Sequence, residues 1–462
     1  MTSDVQTSSR PSLPIRPLIW CVVAIVAAYV AMAIVRTQLG NSPEQVFAVD
    51  SLWPADQYDD SWGAMNTAFE YVNAPHDMPV YSKVFIGDRV KFQYPLSSLL
   101  PMYVVRDRNT LNAISAVTVL ITVVFMTLVF NELVSSATGG RSFADAPRME
   151  QMARIVLPCL LVLTFYPLVL SYRLGQIQTW LAMGFVIAVW LWMRGHLRAS
   201  GVVIGLMTLV KPQFGLLLIW AAMRRRWSFF TTFATTLAAG TAASLALYGL
   251  NEHLDYVKVL SLLSRHGESF HMNQSVNGLL NRFLFTGDMS YSTFYLPEYN
   301  PIVHVATFTT SILLIAGALF IPRKNRGGLA DLLLICFTCT IASPVAWTHH
   351  YSVLLPLIAA LFVWSSVSKP LGRWTLPAVC FGYLLLGTYL GGFFNFSDSR
   401  MNVVQSYPFF GAITTLALLY VWIFRGAPGD AAAIETVTSD DLTLPRQPIV
   451  GRVEHREAPS RM

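Results

Sequence analysis

The stretch Asp56-Gln57-Tyr58-Asp59-Asp60-Ser61-Trp62 begins about 20 residues after an apolar run at Leu18–Val35. It lies in a long polar segment that separates this first apolar run from the second one. Carboxylates and aromatic rings in this position lie at a boundary between water and an apolar slab, where a protein can meet a substrate carried by a lipid. The order of these segments predicts a helical membrane protein with polar chemistry at the membrane surface.

The composition of the 462-residue chain agrees with this fold class. Hydrophobic residues make up 54% of the chain, charged residues make up 13%, and the mean hydropathy is +0.49. A soluble domain has roughly twice this charged fraction. Apolar runs of about 17 to 24 residues recur along the chain, and each can cross the ~30 Å hydrocarbon layer as a helix. We therefore predict an all-α polytopic membrane protein.

The apolar runs predict ten membrane helices and one irregular segment. The helices lie at about 18–36, 111–134, 154–172, 176–194, 228–250, 302–321, 329–345, 351–367, 375–394 and 406–424, and the irregular segment lies at 200–223. Lys and Arg concentrate in alternate short connections, so the net charge of +6 indicates membrane orientation rather than nucleic-acid binding. Arg106 and Arg108 are exceptions, because they lie on the outer side just before the second predicted helix. The other cations place both termini in the cytoplasm.

Polar tails flank the predicted transmembrane domain, which covers residues 18–425. The N-terminal tail is residues 1–17. The C-terminal tail, residues 426–462, is rich in Asp, Glu, Pro, Ala and Thr, a composition that cannot bury enough apolar surface to fold. We predict that both tails are cytoplasmic and that the second is disordered.

The irregular segment has cations at both ends, Arg198 before it and Arg224–Arg226 after it. Lys211-Pro212 stands in its middle. Proline removes a helical hydrogen bond and disfavours helix at the preceding residue. We therefore predict two short helices, at about 200–210 and 213–223, that form a hairpin with the lysine near its apex. Irregular backbone at that depth is tolerated where it is buried in protein or lines a cavity. Counting both arms predicts about twelve membrane helices.

Two long loops lie outside the cytoplasm in this topology, at about 37–110 and 251–301. The first contains stretches such as Ala64–Val72 whose pattern is typical of amphipathic interfacial helices. The sequence contains no internal repeat. Because transporter folds often contain duplicated halves, this observation counts against a transporter.

Asp59 and Asp60 are the candidate catalytic residues. Transfer of a group from a lipid phosphate to a hydroxyl requires a base for the proton, and a carboxylate at a water boundary suits that task. Solvated loop acids or a helix N-cap are the alternative interpretation. Of the two acids, Asp59 stands ahead as the predicted base.

Lys211 and the pair His349-His350 are candidate phosphate-binding residues. Placing a charged lysine inside an apolar membrane segment costs several kcal/mol of free energy unless an anion compensates the charge. Lys211 is therefore a functional candidate. Snorkelling to the interface is the alternative for this lysine. The histidines follow Ser343-Pro344 at a break between two apolar runs, where they can contact phosphate or move a proton. The alternative interpretation is that the two histidines lie at the membrane interface without contacting substrate. A metal site is disfavoured, because adjacent histidines rarely share one metal ion.

Two polar turns contain weaker candidates. In Arg173-Leu174-Gly175-Gln176-Ile177-Gln178, the arginine can clamp a phosphate, and Gln176 and Gln178 can bind substrate hydroxyls. An interfacial anchor is equally suited to Arg173. Lys91-Phe92-Gln93-Tyr94-Pro95 offers Lys91 and Tyr94 as a similar polar edge.

The sequence contains no Asp-x-Asp, Walker-type or Gly-x-Gly-x-x-Gly motif, so no nucleotide machinery is predicted. The five cysteines all lie in apolar segments, and the pair Cys336 and Cys339 is interpreted as helix packing rather than a redox site. No metal or other cofactor is predicted.

Several short motifs occur in one order over about 55–350. They are Asp59-Asp60-Ser61-Trp62-Gly63, Val80-Tyr81, Lys91-Phe92-Gln93-Tyr94-Pro95, Gly175-Gln176, the stretch from Gly201 to Lys211-Pro212 with the following Arg224–Arg226, Asn273-Gln274-Ser275-Val276-Asn277-Gly278-Leu279-Leu280, and Ser343-Pro344 through His349-His350. Each is short, but their shared order resembles that of the GT-C membrane glycosyltransferases, and specifically glycosyltransferase family 87.

The resemblance implies a GT-C bundle of about twelve transmembrane helices with an acidic base in the first outer loop. It implies a polyprenyl-phosphate sugar donor, inverting transfer without a covalent intermediate, and no required metal. Since the family includes polyprenyl-phosphate-mannose-dependent mannosyltransferases, mannose is the expected hexose, and a glycolipid or glycan is the expected acceptor. The matching motif adds Asn273 and Gln274 to the expected substrate contacts. The implied location is a bacterial plasma membrane, with the site on its outer face.

Two other functions stay open at this point. A ligase or polymerase of lipid-linked glycans would take a preassembled oligosaccharide from a diphosphate carrier, so donor preference separates it from a hexosyltransferase. A lipid or polysaccharide transporter would move its substrate without forming a covalent product. The sequence makes no prediction of oligomeric state.

Overall fold

The computed structural model describes residues 15–38, 59–285, 296–322, 326–390, 393 and 396–428. Most of both predicted tails, Asp56-Gln57-Tyr58 and part of the second long loop lie outside these residues. Regular structure in the described part is helical, apart from an isolated antiparallel bridge between Asn273 and Trp347. This confirms the predicted all-α class for these residues.

The α-helices in the described residues are, in chain order, α1 Ile15–Gln38, α2 Asp60–Asn73, α3 Arg108–Ala137, α4 Arg148–Thr164, α5 Tyr166–Arg173, α6 Gln178–Met193, α7 Leu197–Val210, α8 Leu216–Met223, α9 Trp227–Tyr248, α10 Leu250–His266, α11 Val276–Leu284, α12 Pro301–Leu319, α13 Leu329–Ile341, α14 Leu355–Val367, α15 Thr375–Gly387 and α16 Tyr407–Arg425. Shorter helical turns are a π-helix at Tyr81–Gly87 and 3-10 helices at Leu96–Tyr103, Pro212–Gly215, Thr348–Leu354, Gly372–Trp374 and Arg400–Ser406.

Each predicted apolar segment forms helix at the expected place. Within the described residues, five helices are individually long and apolar enough to cross a membrane: Arg108–Ala137, Trp227–Tyr248, Pro301–Leu319, Thr348–Val367 and Arg400–Arg425. A sixth span arises if α4 and α5 are taken together, although their axes are bent by 53°. The other apolar helices, with α1 counted over Ile15–Ala31, have 10–17 residues, so the count of twelve crossings stays a prediction.

The segment from Leu197 to Met223 folds as the predicted hairpin. The chain leaves the helical conformation at Lys211, with φ −131° and ψ 100°, and resumes at Pro212. Helix α9 runs parallel to α7, since Thr232 Oγ1 of α9 donates to the Arg198 carbonyl at the start of α7 over 2.9 Å. Gly240, farther along α9, lies against Leu209 near the end of α7. Because α9 follows α8 directly, α8 must return the chain from Lys211 to the Arg198 end.

A cap of loop residues covers the Lys211 end of the bundle. It consists of α2, the turns between residues 81 and 103, and α10, which share a hydrophobic cluster with the ends of α3, α6 and α9. Helix α10 is joined to the first loop by acids. Glu252 accepts from the Val80 N–H over 2.7 Å, and Asp255 accepts from the Ser82 N–H over 2.7 Å. The two loops therefore form one structural layer, and the helix predicted around Ala64–Val72 lies within it as part of α2.

A buried ion pair joins helices at the opposite end of the bundle. Arg224, after α8, contacts Asp331 of α13 through two N–O distances of 2.6 and 3.1 Å. The arginine also donates to the carbonyl of Leu319 over 2.9 Å, and Asp331 accepts from the Gly327 N–H over 2.7 Å. Both charged side chains are at most 1% exposed, so each depends on the other for compensation.

We predict that Asp331→Asn lowers the free energy of unfolding by about 3–5 kcal/mol, because it leaves the buried guanidinium without a counter-ion. Glu132→Gln is the matched control. Its partner Arg194 is 53% exposed, and an exposed pair contributes roughly 0–1 kcal/mol. Denaturation of both purified variants in detergent measures the difference. Equal stability of the two variants would contradict the role assigned to Arg224.

Candidate active site

A cleft of about 230 Å³ lies between the cap and the Lys211 end of the bundle. It brings together side chains from the first loop, from the turn before α6, from the hairpin apex and from the break before α14. Among the residues predicted from the sequence, those that line it are Asp60, Lys91, Tyr94, Gln176, Lys211, His349 and His350.

Asp60 is the first residue of α2, and the start of this helix is bound to the turn that precedes α6. The Asp60 N–H donates to the Leu174 carbonyl over 3.0 Å, and the Ser61 N–H donates to the Gly175 carbonyl over 3.3 Å. These bonds satisfy N–H groups that a helix start leaves free. They also hold the carboxylate at the cleft wall.

Gln176 fixes the orientation of this carboxylate. Its Oε1 accepts from Ser61 Oγ over 2.5 Å and from the Tyr94 hydroxyl over 3.0 Å. The amide nitrogen is thereby directed at Asp60, and Nε2 donates to Oδ2. Burial raises the pKa of Asp60, and this effect outweighs the opposite effects of the Gln176 hydrogen bond and the Lys91 charge. A carboxylate with a raised pKa is suited to accept a proton near neutral pH.

Asp59 occupies a different position from its neighbour. It is the N-cap residue of α2, yet its side chain forms no capping hydrogen bond. Its carboxylate instead lies over the first turn, where a Cβ on Gly63 would be 3.0 Å from Oδ2. Asp59 is absent from the residues that line the cleft. Of the two candidate acids, Asp60 therefore lines the cleft and Asp59 does not.

Lys211 is 6% exposed, and its Nζ has no hydrogen-bond partner among the described residues. Burying an ammonium without a partner is costly in free energy. The two histidines lie in the 3-10 helix Thr348–Leu354 and line the same cleft. The Trp347 N–H donates to His350 Nδ1 over 3.3 Å, so a proton on neutral His350 is carried by Nε2.

Lys91 is paired within the protein. Its Nζ lies 2.8 Å from Glu268 Oε1 and 4.3 Å from the centre of the Trp347 ring. Glu268 was missed by the sequence analysis. It belongs to the second long loop, and no motif or spacing connects it to Lys91 in the first.

Four predicted substrate contacts do not line the cleft. Arg173 is exposed at the end of α5. Gln178 donates to Ser352 Oγ over 3.2 Å. Asn273 donates to the Glu268 carbonyl over 2.9 Å and accepts from the Ala346 N–H over 3.0 Å. Gln274 donates to the Gln405 carbonyl over 3.0 Å and accepts from the Phe409 N–H over 3.1 Å. The three amides thus bind the protein itself. Those of Gln178 and Asn273 support the segment that carries the histidines, and that of Gln274 binds the start of α16 and the segment before it.

Within the described residues, no three His, Cys, Asp or Glu side chains are grouped closely enough to hold a metal ion. The five cysteines are free thiols. Transfer without a metal stays a prediction.

The family model described as glycosyltransferase family 87 matches residues 92–344. The matched region contains Tyr94, Gln176, Lys211 and Glu268. Lys91 and the two histidines lie just outside it, and Asp60 lies well before its start.

A curated relative is the polyprenol-phosphate-mannose-dependent alpha-(1-2)-phosphatidylinositol pentamannoside mannosyltransferase of Mycobacterium tuberculosis. It is 24% identical over 208 residues, which cover 45% of this chain and 45% of the relative. The chain therefore matches less than half the length of this relative. The family model, in contrast, covers more than half of the 462 residues. On that match, this helical membrane protein belongs to glycosyltransferase family 87.

Proposed function

We propose that this protein is a membrane glycosyltransferase that moves a hexose from a polyprenyl-phosphate donor to a hydroxyl of a lipid-linked or glycan acceptor. The observation that carries this proposal is the cleft in which the Asp60 carboxylate and the unpartnered Lys211 ammonium lie together. Transfer from a phosphate donor needs a base for the acceptor proton and a cation for the departing phosphate. The named activity of the mycobacterial relative supports mannose as the hexose.

The proposed reaction is a single displacement. The acceptor oxygen attacks the anomeric carbon of the donor sugar while the bond from that carbon to the phosphate oxygen breaks. The phosphate oxygen keeps the electron pair of the broken bond, and the Asp60 carboxylate takes the proton of the acceptor hydroxyl. Because the attack and departure occur on opposite faces, the anomeric configuration is inverted.

Lys211 is proposed to bind the donor phosphate and to stabilise the charge that grows on it as the bond breaks. The ammonium is buried, so its interaction with an anion is screened less than it would be in water. His349 and His350 line the same cleft and supply N–H groups that can donate to phosphate oxygens. The anion in turn compensates the lysine for its lost hydration.

The active site is proposed to face the outside of the plasma membrane, with both chain termini in the cytoplasm. Arg224–Arg226 and Arg198 lie at the end of the hairpin opposite the cleft. Positive residues in short connections favour the cytoplasmic side. This distribution supports an outward-facing cleft, where a polyprenyl-phosphate sugar and an extracytoplasmic acceptor would meet.

We predict that Asp60→Asn lowers the rate of sugar transfer by about 10²- to 10⁴-fold, because the amide cannot accept the proton. Asp59→Asn, the matched control at the neighbouring position, is expected to keep activity within a few-fold of the unchanged protein. The measurement uses purified protein with polyprenyl-phosphate mannose, glucose or arabinose and with a polyprenyl-diphosphate oligosaccharide, and mass spectrometry identifies the products.

Full activity of Asp60→Asn would refute the proposed base, whereas selective loss in Asp59→Asn would assign that role to its neighbour. Product from the diphosphate donor alone would indicate a glycan ligase. Movement of lipid without any covalent product would indicate a transporter.

The pH dependence of transfer follows from the raised pKa of Asp60. The base must be deprotonated, so kcat/KM falls as the pH decreases through this pKa. Gln176→Leu removes a donor that stabilises the carboxylate, which raises the pKa of Asp60 further. The acidic limb of the profile should therefore move to higher pH by about one unit. Gln178→Leu is the control outside the cleft, and a matching displacement in that variant would count against the Gln176 assignment.

We predict that Lys211→Met lowers kcat by about 10²- to 10³-fold, as expected when a charge-stabilising donor is removed. Lys211→Arg keeps the charge and should retain more activity than the methionine variant. Lys258→Met serves as a control, because this lysine is 62% exposed and lies outside the cleft. Kinetics at saturating donor measure kcat directly, and an unchanged kcat in Lys211→Met would exclude the proposed phosphate contact.

A further inference from the structure

Lys91 and Asp60 line the same cleft, yet Lys91 is paired with a different acid. The Lys91 Nζ is 2.8 Å from Glu268 Oε1, and the two side chains are 12% and 2% exposed. Lys91 still acts electrostatically on Asp60, since its charge lowers the pKa of that carboxyl against the effect of burial. An ammonium that moved onto Asp60 would occupy the oxygen that the acceptor hydroxyl needs.

Glu268 holds Lys91 through two contacts at once. One carboxylate oxygen faces the ammonium, and the other accepts from Trp347 Nε1 over 2.5 Å. The ring of Trp347 lies beneath the same ammonium, 4.3 Å from Nζ to the ring centre. A cation over an indole face is attracted to it, so carboxylate and ring favour one position of Lys91.

The backbone around Glu268 is itself firmly held. Gly267 has φ +64°, and a Cβ there would be 1.8 Å from Asn277 Oδ1, so only glycine fits. The same Asn277 oxygen accepts from the Glu268 N–H over 3.1 Å. Asn273 Nδ2 donates to the Glu268 carbonyl over 2.9 Å. Two amide residues thus fix the turn that presents the glutamate.

The groups around Asp60 come from every part of the cleft. Asp59 precedes it on the same helix, and Gln176 contacts it from the turn before α6. The other ionisable and polar groups that line the cleft are Lys91, Tyr94, Lys211, His349 and His350, with Glu268 behind Lys91. Two lysines line the cleft. Among the described residues, Lys91 has a carboxylate counter-ion, Glu268, whereas Lys211 Nζ has no hydrogen-bond partner.

We propose that Glu268 is a positioning residue that keeps the Lys91 ammonium on the Trp347 ring and away from the Asp60 carboxylate, which is thereby left free to take the acceptor proton. This inference rests on the proposed function. Glu268 touches neither of the reacting groups. Its charge raises the pKa of Asp60 directly, and its contact with Lys91 holds the ammonium in place. It is separate from the role of Lys211, which faces the donor phosphate.

Three variants test the proposal through the pH profile of kcat/KM. In Glu268→Gln, Lys91 loses its counter-ion and acts more strongly on Asp60, which lowers the pKa of that carboxyl. The acidic limb should move to lower pH by about one unit, and kcat should fall several-fold because the base is weaker. In Lys91→Met, the limb should move about one unit to higher pH. Because the positioning effect needs Lys91, adding Glu268→Gln to Lys91→Met should move the limb by much less than Glu268→Gln moves it in the unchanged protein.

Glu252→Gln is the matched control, because Glu252 is another buried acid of the second loop that binds the Val80 N–H outside the cleft. Thermal unfolding of all variants measures any loss of stability. A purely structural Glu268 would lower stability as Glu252→Gln does and leave the limb in place. Limbs that move in the same direction in both single variants, or not at all, overturn the inference.

Asp60→Asn in the same assay distinguishes failure of the proposed base, Asp60, from failure of the proposed positioning residue, Glu268. If Asp60→Asn is inactive and Glu268→Gln leaves the limb unchanged, the positioning role is wrong and the base assignment stands. If Asp60→Asn is fully active, both are wrong. Opposite limb displacements together with an inactive Asp60→Asn support both.

Discussion

The bonds between the start of α2 and the turn at Leu174–Gln176 hold the candidate active site together. Two backbone N–H groups of α2 donate hydrogen bonds to carbonyls of this turn, and the Gln176 amide donates to the Asp60 carboxylate. This turn therefore provides acceptors for the N–H groups at the start of α2 and orients the carboxylate of Asp60, the first residue of that helix. Without it, Asp60 would be one of two equivalent loop acids, free to face water. With it, the carboxylate is buried in the cleft, and burial raises its pKa.

The charges of the cleft are arranged around this acid in two different ways. Lys91 is neutralised by Glu268, so it shapes the field at Asp60 without needing a ligand. Lys211 lies at the apex of a hairpin, where proline removes helical hydrogen bonding, and its Nζ has no hydrogen-bond partner among the described residues. The cleft thus contains one lysine that is paired with a carboxylate and a second one that, in the proposed function, the donor phosphate compensates.

Sequence patterns identified the elements but not every contact of their side chains. The hairpin around Lys211 was predictable because Pro212 and the flanking arginines act locally and through membrane orientation. Asp60, Gln176 and the histidine pair were found because polar residues at breaks between apolar runs are few. Asn273 and Gln274 were expected to contact substrate because their motif matches the family resemblance. In the structure their amides bond to Ala346, Gln405 and neighbouring backbone groups instead.

The helical class, the positions of the apolar helices and the candidate acids and cations could be predicted from the amino-acid sequence, because they follow from hydropathy, proline chemistry and charge. Packing between distant segments selects the acid that enters the cleft and the lysine that lacks a partner among the described residues. Asp59 and Asp60 are adjacent in the chain, but the register of α2 against the 174–176 turn directs one to the cleft and leaves the other over Gly63. Glu268 reaches Lys91 because two distant loops pack into one cap. Such pairings depend on packing between segments far apart in the chain, and no local pattern encodes them.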